Sequence, residues 1–122
     1  MTLALVGNLC SGKNAVKITR SGHHYPGKRF KAWRDEAMLQ LKSQVIHNKL
    51  TPGCPVHLKV EHWPGDARTR DVSGMTDALF HLLVYAGVLE DDGLVFDLTW
   101  RRQPVNRKFP KVVMTITEWS EG

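Results

Sequence analysis

Two periods of apolar residues alternate along the chain, and the switches between them mark out its elements. Thr2 to Val6 is a short, largely apolar run that predicts a strand, and Val16, Ile18 and Thr19 set β-branched positions among polar ones, predicting a second strand that turns at Ser21-Gly22. From Lys28 the period lengthens. Phe30, Trp33, Ala37, Met38, Leu41 and Val45 recur every three or four residues, which predicts an amphipathic helix ending near Asn48 to Leu50, before the breaker Thr51-Pro52-Gly53. Val56 to His62 alternates strictly, as a strand with one buried face does, and Trp63-Pro64-Gly65 ends it. Met75, Leu79, Leu82, Leu83 and Ala86 then predict a second helix from about Ser73 to Tyr85, with Gly87 as its stop signal. Leu94 to Trp100 and Val112 to Thr117 are the last two predicted strands.

The order strand, strand, helix, strand, helix, strand, strand predicts an α+β fold: a two-layer domain with two main helices on one mixed or antiparallel sheet. The 122 residues, 42% of them apolar, are expected to form a single domain over 1–122 with one modest core. No apolar run approaches the ~20 residues of a membrane span, and the N-terminus lacks the order of a secretion signal. A cytoplasmic protein with no membrane partner is therefore expected. Cys10 and Cys54 are too few for a disulfide framework, and His23-His24 lacks a cysteine partner for a zinc site.

The stretch VGNLCSGKN, Val6 to Asn14, fits all but the last position of the phosphate-cradling loop of nucleotide hydrolases. That loop must open a helix whose N-terminus faces the phosphates, and its last position carries a Mg²⁺-binding hydroxyl. Here Asn14 takes that position and β-branched alternation follows, so a Gly-bearing bend between two strands, with no nucleotide cofactor, is the expectation.

Charge adds a second pattern. The net charge is +5, and before Asp35 the chain carries seven basic residues and no acid: Lys13, Lys17, Arg20, Lys28, Arg29, Lys31 and Arg34. From Asp71 to Asp97 the sign inverts, with Asp71, Asp77, Glu90, Asp91, Asp92 and Asp97 and no Lys or Arg. Arg101, Arg102, Arg107, Lys108 and Lys111 then restore it. Any single run is most simply a solvated face. Basic flanks around an acidic centre suit a protein that grips a polyanion and holds a divalent cation against it, since Lys and Arg displace counterions from phosphates and carboxylate oxygens hold Mg²⁺.

Asp71 stands at the mouth of the second helix, Ser73 and Asp77 share one of its faces, and Asp91-Asp92 follow in the next turn. Such a set can converge at one end of the sheet to hold one or two Mg²⁺ ions against a phosphodiester. Two plainer explanations compete: acids complement a helix N-terminus, and Asp-Asp-Gly is an ordinary turn sequence.

The segment RDVSGMTDALFHLLVYAGVLEDDGLVFDLTW resembles the signature of the RusA-type Holliday junction resolvases, with an Asp at the helix start, an Ala-Gly helix end and an Asp-Asp turn. GNLCSGKNAVKITRSGHHYPGKRFKAWRDEAMLQL is similar to the opening of phage-encoded members, so Gly12-Lys13-Asn14 matches their lysine-asparagine strand entry. The resemblance spans nearly the whole chain. It implies a homodimeric, Mg²⁺-dependent endonuclease that cuts four-way DNA junctions in recombination and repair, with Asp71, Asp77 and Asp92 catalytic and Asp71, Asp77, Asp91 and Asp92 at the metal. Lys13, Arg68, Arg70, Arg101, Arg102 and Lys108 are the candidate phosphate contacts. The chain departs from the better-known members at Ser73-Gly74, where they carry aspartate and asparagine, and at Asp77, where they carry lysine. Asp77 would restore the carboxylate that Ser73 lacks. The alternative is a branched-DNA-binding protein of the same fold with impaired catalysis.

Overall fold

The structure is a computed structural model that describes residues 1–7, 9, 16–18, 24–26, 28–45, 50, 51 and 53–119. Four strands form the main sheet: β1 (Thr2–Val6), β4 (Val56–Trp63), β5 (Val95–Arg102) and β6 (Lys111–Glu118), in the order β1-β6-β4-β5. A separate two-stranded antiparallel pair joins β2 (Val16–Ile18) to β3 (His24–Pro26), and the expected turn at Ser21-Gly22 lies outside the described residues. The helices are α1 (Lys28–Val45) and α2 (Val72–Tyr85), and a short 3-10 turn over Asp92–Leu94 leads into β5. This is the expected α+β class, with a mixed sheet: β6 runs antiparallel to β1 and β4, while β4 and β5 run parallel. Parallel neighbours need a long crossover, and α2 supplies it.

Alternation decides which sheet face is covered. Leu3 and Leu5 of β1, Val56, Leu58 and Val60 of β4, and Val112, Met114 and Ile116 of β6 are all buried. They share one core with Ala37 and Leu41 of α1 and Met75, Leu79, Leu82 and Leu83 of α2, so both helices cover the same face. Each Leu or Ile buried in this way stabilises the fold by about 1.5–3 kcal/mol. The intervening residues lie on the other face, where Ala4, Lys59 and Thr117 are exposed and His57, Glu61, Val113 and Thr115 are half-buried.

Strand β5 breaks the alternation. Of its eight residues only Val95 and Trp100 are half-buried and the rest are exposed, because it lies at the sheet margin beyond the helices. Its ladder with β4 slips at Val56/His57, leaving Phe96 out of register. At the other margin, Gln44 of α1 reaches Ala4 of β1, accepting from its N–H and donating to its carbonyl, both at 2.8 Å. Gln40 accepts from the Val6 N–H at 2.8 Å. Helix side chains thus occupy the hydrogen-bonding groups of that edge.

Helix α2 ends as expected at Gly87. Its φ of 79° lies in the left-handed region, and the Gly87 and Val88 amides donate back to the Val84 and Leu83 carbonyls at 3.1 and 2.9 Å. That reversal points the chain toward the acidic turn. The nucleotide-loop stretch lies mostly outside the described residues; within it, Gly7 (φ 102°) follows β1 and donates to the Pro110 carbonyl at 2.7 Å. No helix among the described residues is long and apolar enough to cross a membrane.

Candidate functional site

The candidate carboxylates are distributed along α2 and the turn after it. Asp71 is the residue just before the helix, in extended conformation (φ −79°, ψ 99°), and its side chain makes no capping hydrogen bond. Its carbonyl accepts from the Met75 amide at 3.0 Å, which starts the helical ladder. Asp77 lies six residues on, about 9 Å along the axis at 1.5 Å per residue. Because Gly87 reverses the chain, Asp91 and Asp92 return against the second half of α2. There Asp77, Phe80, His81, Val84, Asp91 and Asp92 line one surface pocket.

Three of the four expected metal-site residues therefore meet in one pocket, and Asp71 is not among its lining. Asp77, Asp91 and Asp92 are all exposed. Their hard oxygen donors suit Mg²⁺ chemically. Among the described residues, however, no group of three or more His, Cys, Asp or Glu side chains is placed to hold a metal ion.

His81 lies one helical turn after Asp77 on the same side of α2. Its ring stacks on Tyr85 (5.8 Å between centroids, 15° between planes), and the Arg34 guanidinium lies over Tyr85 at 5.2 Å. The D-x-x-x-H spacing that puts an acid and an imidazole on one helix face was visible in the sequence, but His81 is not among its expected site residues.

A basic cluster gathers where β4 and β5 end, beside the start of α2. Asp66 organises it. Its carboxylate bridges Arg70 at 3.1 Å and Arg68 at 3.3 Å and accepts from the Arg68 amide at 3.0 Å. The Arg68 backbone and side chain, with Arg70 behind them, hold the Asp66 carboxyl below its ordinary pKa. Arg102 straps the same loop, donating to the Arg68 carbonyl at 3.1 Å and the Asp66 carbonyl at 3.5 Å.

The expected phosphate contacts thus differ in what they offer. Arg68 is 79% exposed, whereas Arg70 is 14% exposed and ion-paired, which suits it to shaping the loop. Arg101 and Arg102 are neighbours on a strand and so face opposite sides of the sheet. Lys108 is exposed in the loop between β5 and β6. Lys13 lies outside the described residues.

Under the basic loop sits His62, 1% exposed on the helix-covered face, with Trp100 edge-on at 6.4 Å. Burial, then the Arg70 and Arg102 charges, lowers its pKa to about 4, and its Nε2 has no hydrogen-bond partner among the described residues. The imidazole is neutral at pH 7. No family model matches the chain, and no curated protein matches it either.

Proposed function

We propose that the protein is a Mg²⁺-dependent, structure-selective DNA endonuclease that acts on four-way junctions in the cytoplasm as a homodimer, in DNA recombination and repair. The observation that carries this is that Asp77, Asp91 and Asp92 line one pocket, where Gly87 turns the chain back against α2. The resemblance of the Asp71 to Trp100 segment to RusA-type resolvases supplies the substrate class. Exposed Arg68 and Lys108 supply the charge that grips phosphates, with Arg70 and Arg102 fixing the loop that presents Arg68. A four-way junction has approximate two-fold symmetry, and paired cuts call for two equivalent subunits.

A second reading, a branched-DNA-binding protein with impaired catalysis, is favoured by two observations. Ser73-Gly74 replaces two polar positions of the family pattern, and Asp71 stands apart from the pocket that holds the other three acids. A gel assay on a synthetic four-way junction separates the two. The nuclease yields nicked duplexes only with Mg²⁺, while the binder shifts the junction and leaves it whole in any divalent ion. Equal affinity for junction and linear duplex would contradict both.

A further inference from the structure

We propose that the outer edge of β5 is a self-pairing surface, on which a second copy of the chain lays its own β5 antiparallel about a two-fold axis through Thr99. This gives the dimer proposed above an interface, and it stands whether or not the protein cuts DNA.

The two margins of the sheet are treated differently. Gln40 and Gln44 occupy the hydrogen-bonding groups of β1, whereas no described strand or side chain covers the outer edge of β5. An open edge is a template for another strand, and proteins usually blunt one that must stay single. This edge also exposes Phe96 (55%) and Leu98 (39%).

Its charges select the occupant. A two-fold axis perpendicular to a sheet keeps each strand's faces in place, so symmetric antiparallel pairing must centre on a residue. Centring on Leu98 sets Asp97 against Thr99 and Phe96 against Trp100, while centring on Trp100 sets Arg101 against Thr99 and Arg102 against Leu98. Neither pairs opposite charges. Centring on Thr99 sets Asp97 against Arg101 of the second copy, and Leu98 against its Trp100, each twice by symmetry. Oppositely charged and apolar residues facing each other across strands are the pairs that stabilise a ladder.

The side chains are placed for these pairs. Asp97 uses Oδ2 to meet His57 Nδ1 at 2.9 Å, which leaves Oδ1 for a second partner. The Arg101 side chain is exposed and makes no hydrogen bond or ion pair with a described residue. Because Phe96 is out of register with β4, the regular edge runs from Asp97 to Arg102, and it holds every residue of the pairs made about Thr99. Pairing there doubles the four-stranded sheet into one continuous sheet with all helices on one side.

Sedimentation velocity of the DNA-free chain tests this at micromolar concentration. The wild type should be dimeric. Arg101→Asp, which sets acids against acids, should weaken the dimer roughly tenfold or more, and Asp97→Arg/Arg101→Asp should restore it. Thr99→Cys, with Cys10 and Cys54 changed to Ser, should oxidise to a linked dimer, because facing Cα atoms in an antiparallel pair lie about 4.5–5.5 Å apart, within disulfide reach. Linkage at Thr99 supports the interface even if circular dichroism shows a charge variant to be unfolded. A monomeric wild type overturns the proposal, as does a dimer in which Thr99→Cys stays unlinked. Junction cleavage, measured separately, bears on the nuclease alone.

Discussion

His62 is a base held where a proton is costly. Its folded pKa of about 4 lies below the ordinary 6.5, because burial and the Arg70 and Arg102 charges all oppose protonation. Above pH 6.5 the ring is neutral folded or unfolded, so its contribution is fully present. As pH falls from 6.5 towards 4 only the unfolded chain takes up the proton, and stability should drop by on the order of 3 kcal/mol. Urea midpoints measured from pH 7 to pH 4 should fall in the wild type and flatten in His62→Leu; parallel curves would contradict this placement of the imidazole. The position was legible, since His62 shares the alternation of buried Val56, Leu58 and Val60. The charges opposing its proton were not, because Arg70 comes from a loop that Asp66 and Arg102 fold back, and Arg102 from a strand whose parallel pairing with β4 sets it beside His62. Asp77 makes the opposite case. It is the sixth residue of α2, past the first turn where the helix dipole stabilises acids, so that simpler role does not apply. Asp77→Ala should leave stability within about 0.5 kcal/mol of the wild type and abolish Mg²⁺-dependent junction cleavage, while Ser73→Asp should preserve or raise it. Single-turnover cleavage with these variants checks both, and undiminished cutting by Asp77→Ala would remove it from the site.

Among the elements, β1 and β5 show how neighbours decide the fate of an edge. The Ala4 and Val6 amides of β1 donate to Gln44 and Gln40, each bond being worth about 0.5–1.5 kcal/mol net. Gln40→Ala/Gln44→Ala should speed amide hydrogen exchange at Ala4 and Val6 while leaving Leu58 and Met114 protected; unchanged exchange at Ala4 would mean that the edge is covered otherwise. Local periodicity was enough for α1, α2, β1, β4 and β6, whose apolar positions reappear in one core. It could not reveal that β4 and β5 run parallel, because that follows from the crossover through α2. Nor could it show that β5 lies beyond the helices, since Phe96, Leu98 and Trp100 alternate with Asp97 and Thr99 just as the buried positions of β4 alternate with polar ones. The acidic turn was anticipated from Asp-Asp-Gly, but its return against α2 depends on Gly87 adopting a left-handed φ.

For the molecule as a whole, the division of charge is the feature that structure and sequence share. Arg68, Arg70 and Arg102 cluster at the ends of β4 and β5, and Asp77, Asp91 and Asp92 gather beside the second half of α2. On the proposed nuclease reading, phosphate binding and phosphate chemistry have separate seats, and one can be removed without the other. Asp92 separates them most sharply, being exposed in the pocket and taking no part in the ion pairs of the basic cluster. Replacing it with Asn keeps the shape and deletes one charge that repels DNA. The measurement is single-turnover cleavage of a synthetic four-way junction in Mg²⁺ by wild type and Asp92→Asn, with junction affinity determined on the same preparations. The nuclease account predicts paired, Mg²⁺-dependent cuts by the wild type, none by Asp92→Asn, and junction binding by the variant that is equal or tighter. A wild type that binds the junction but never cuts it, or a variant that cuts as fast as the wild type, would contradict the account.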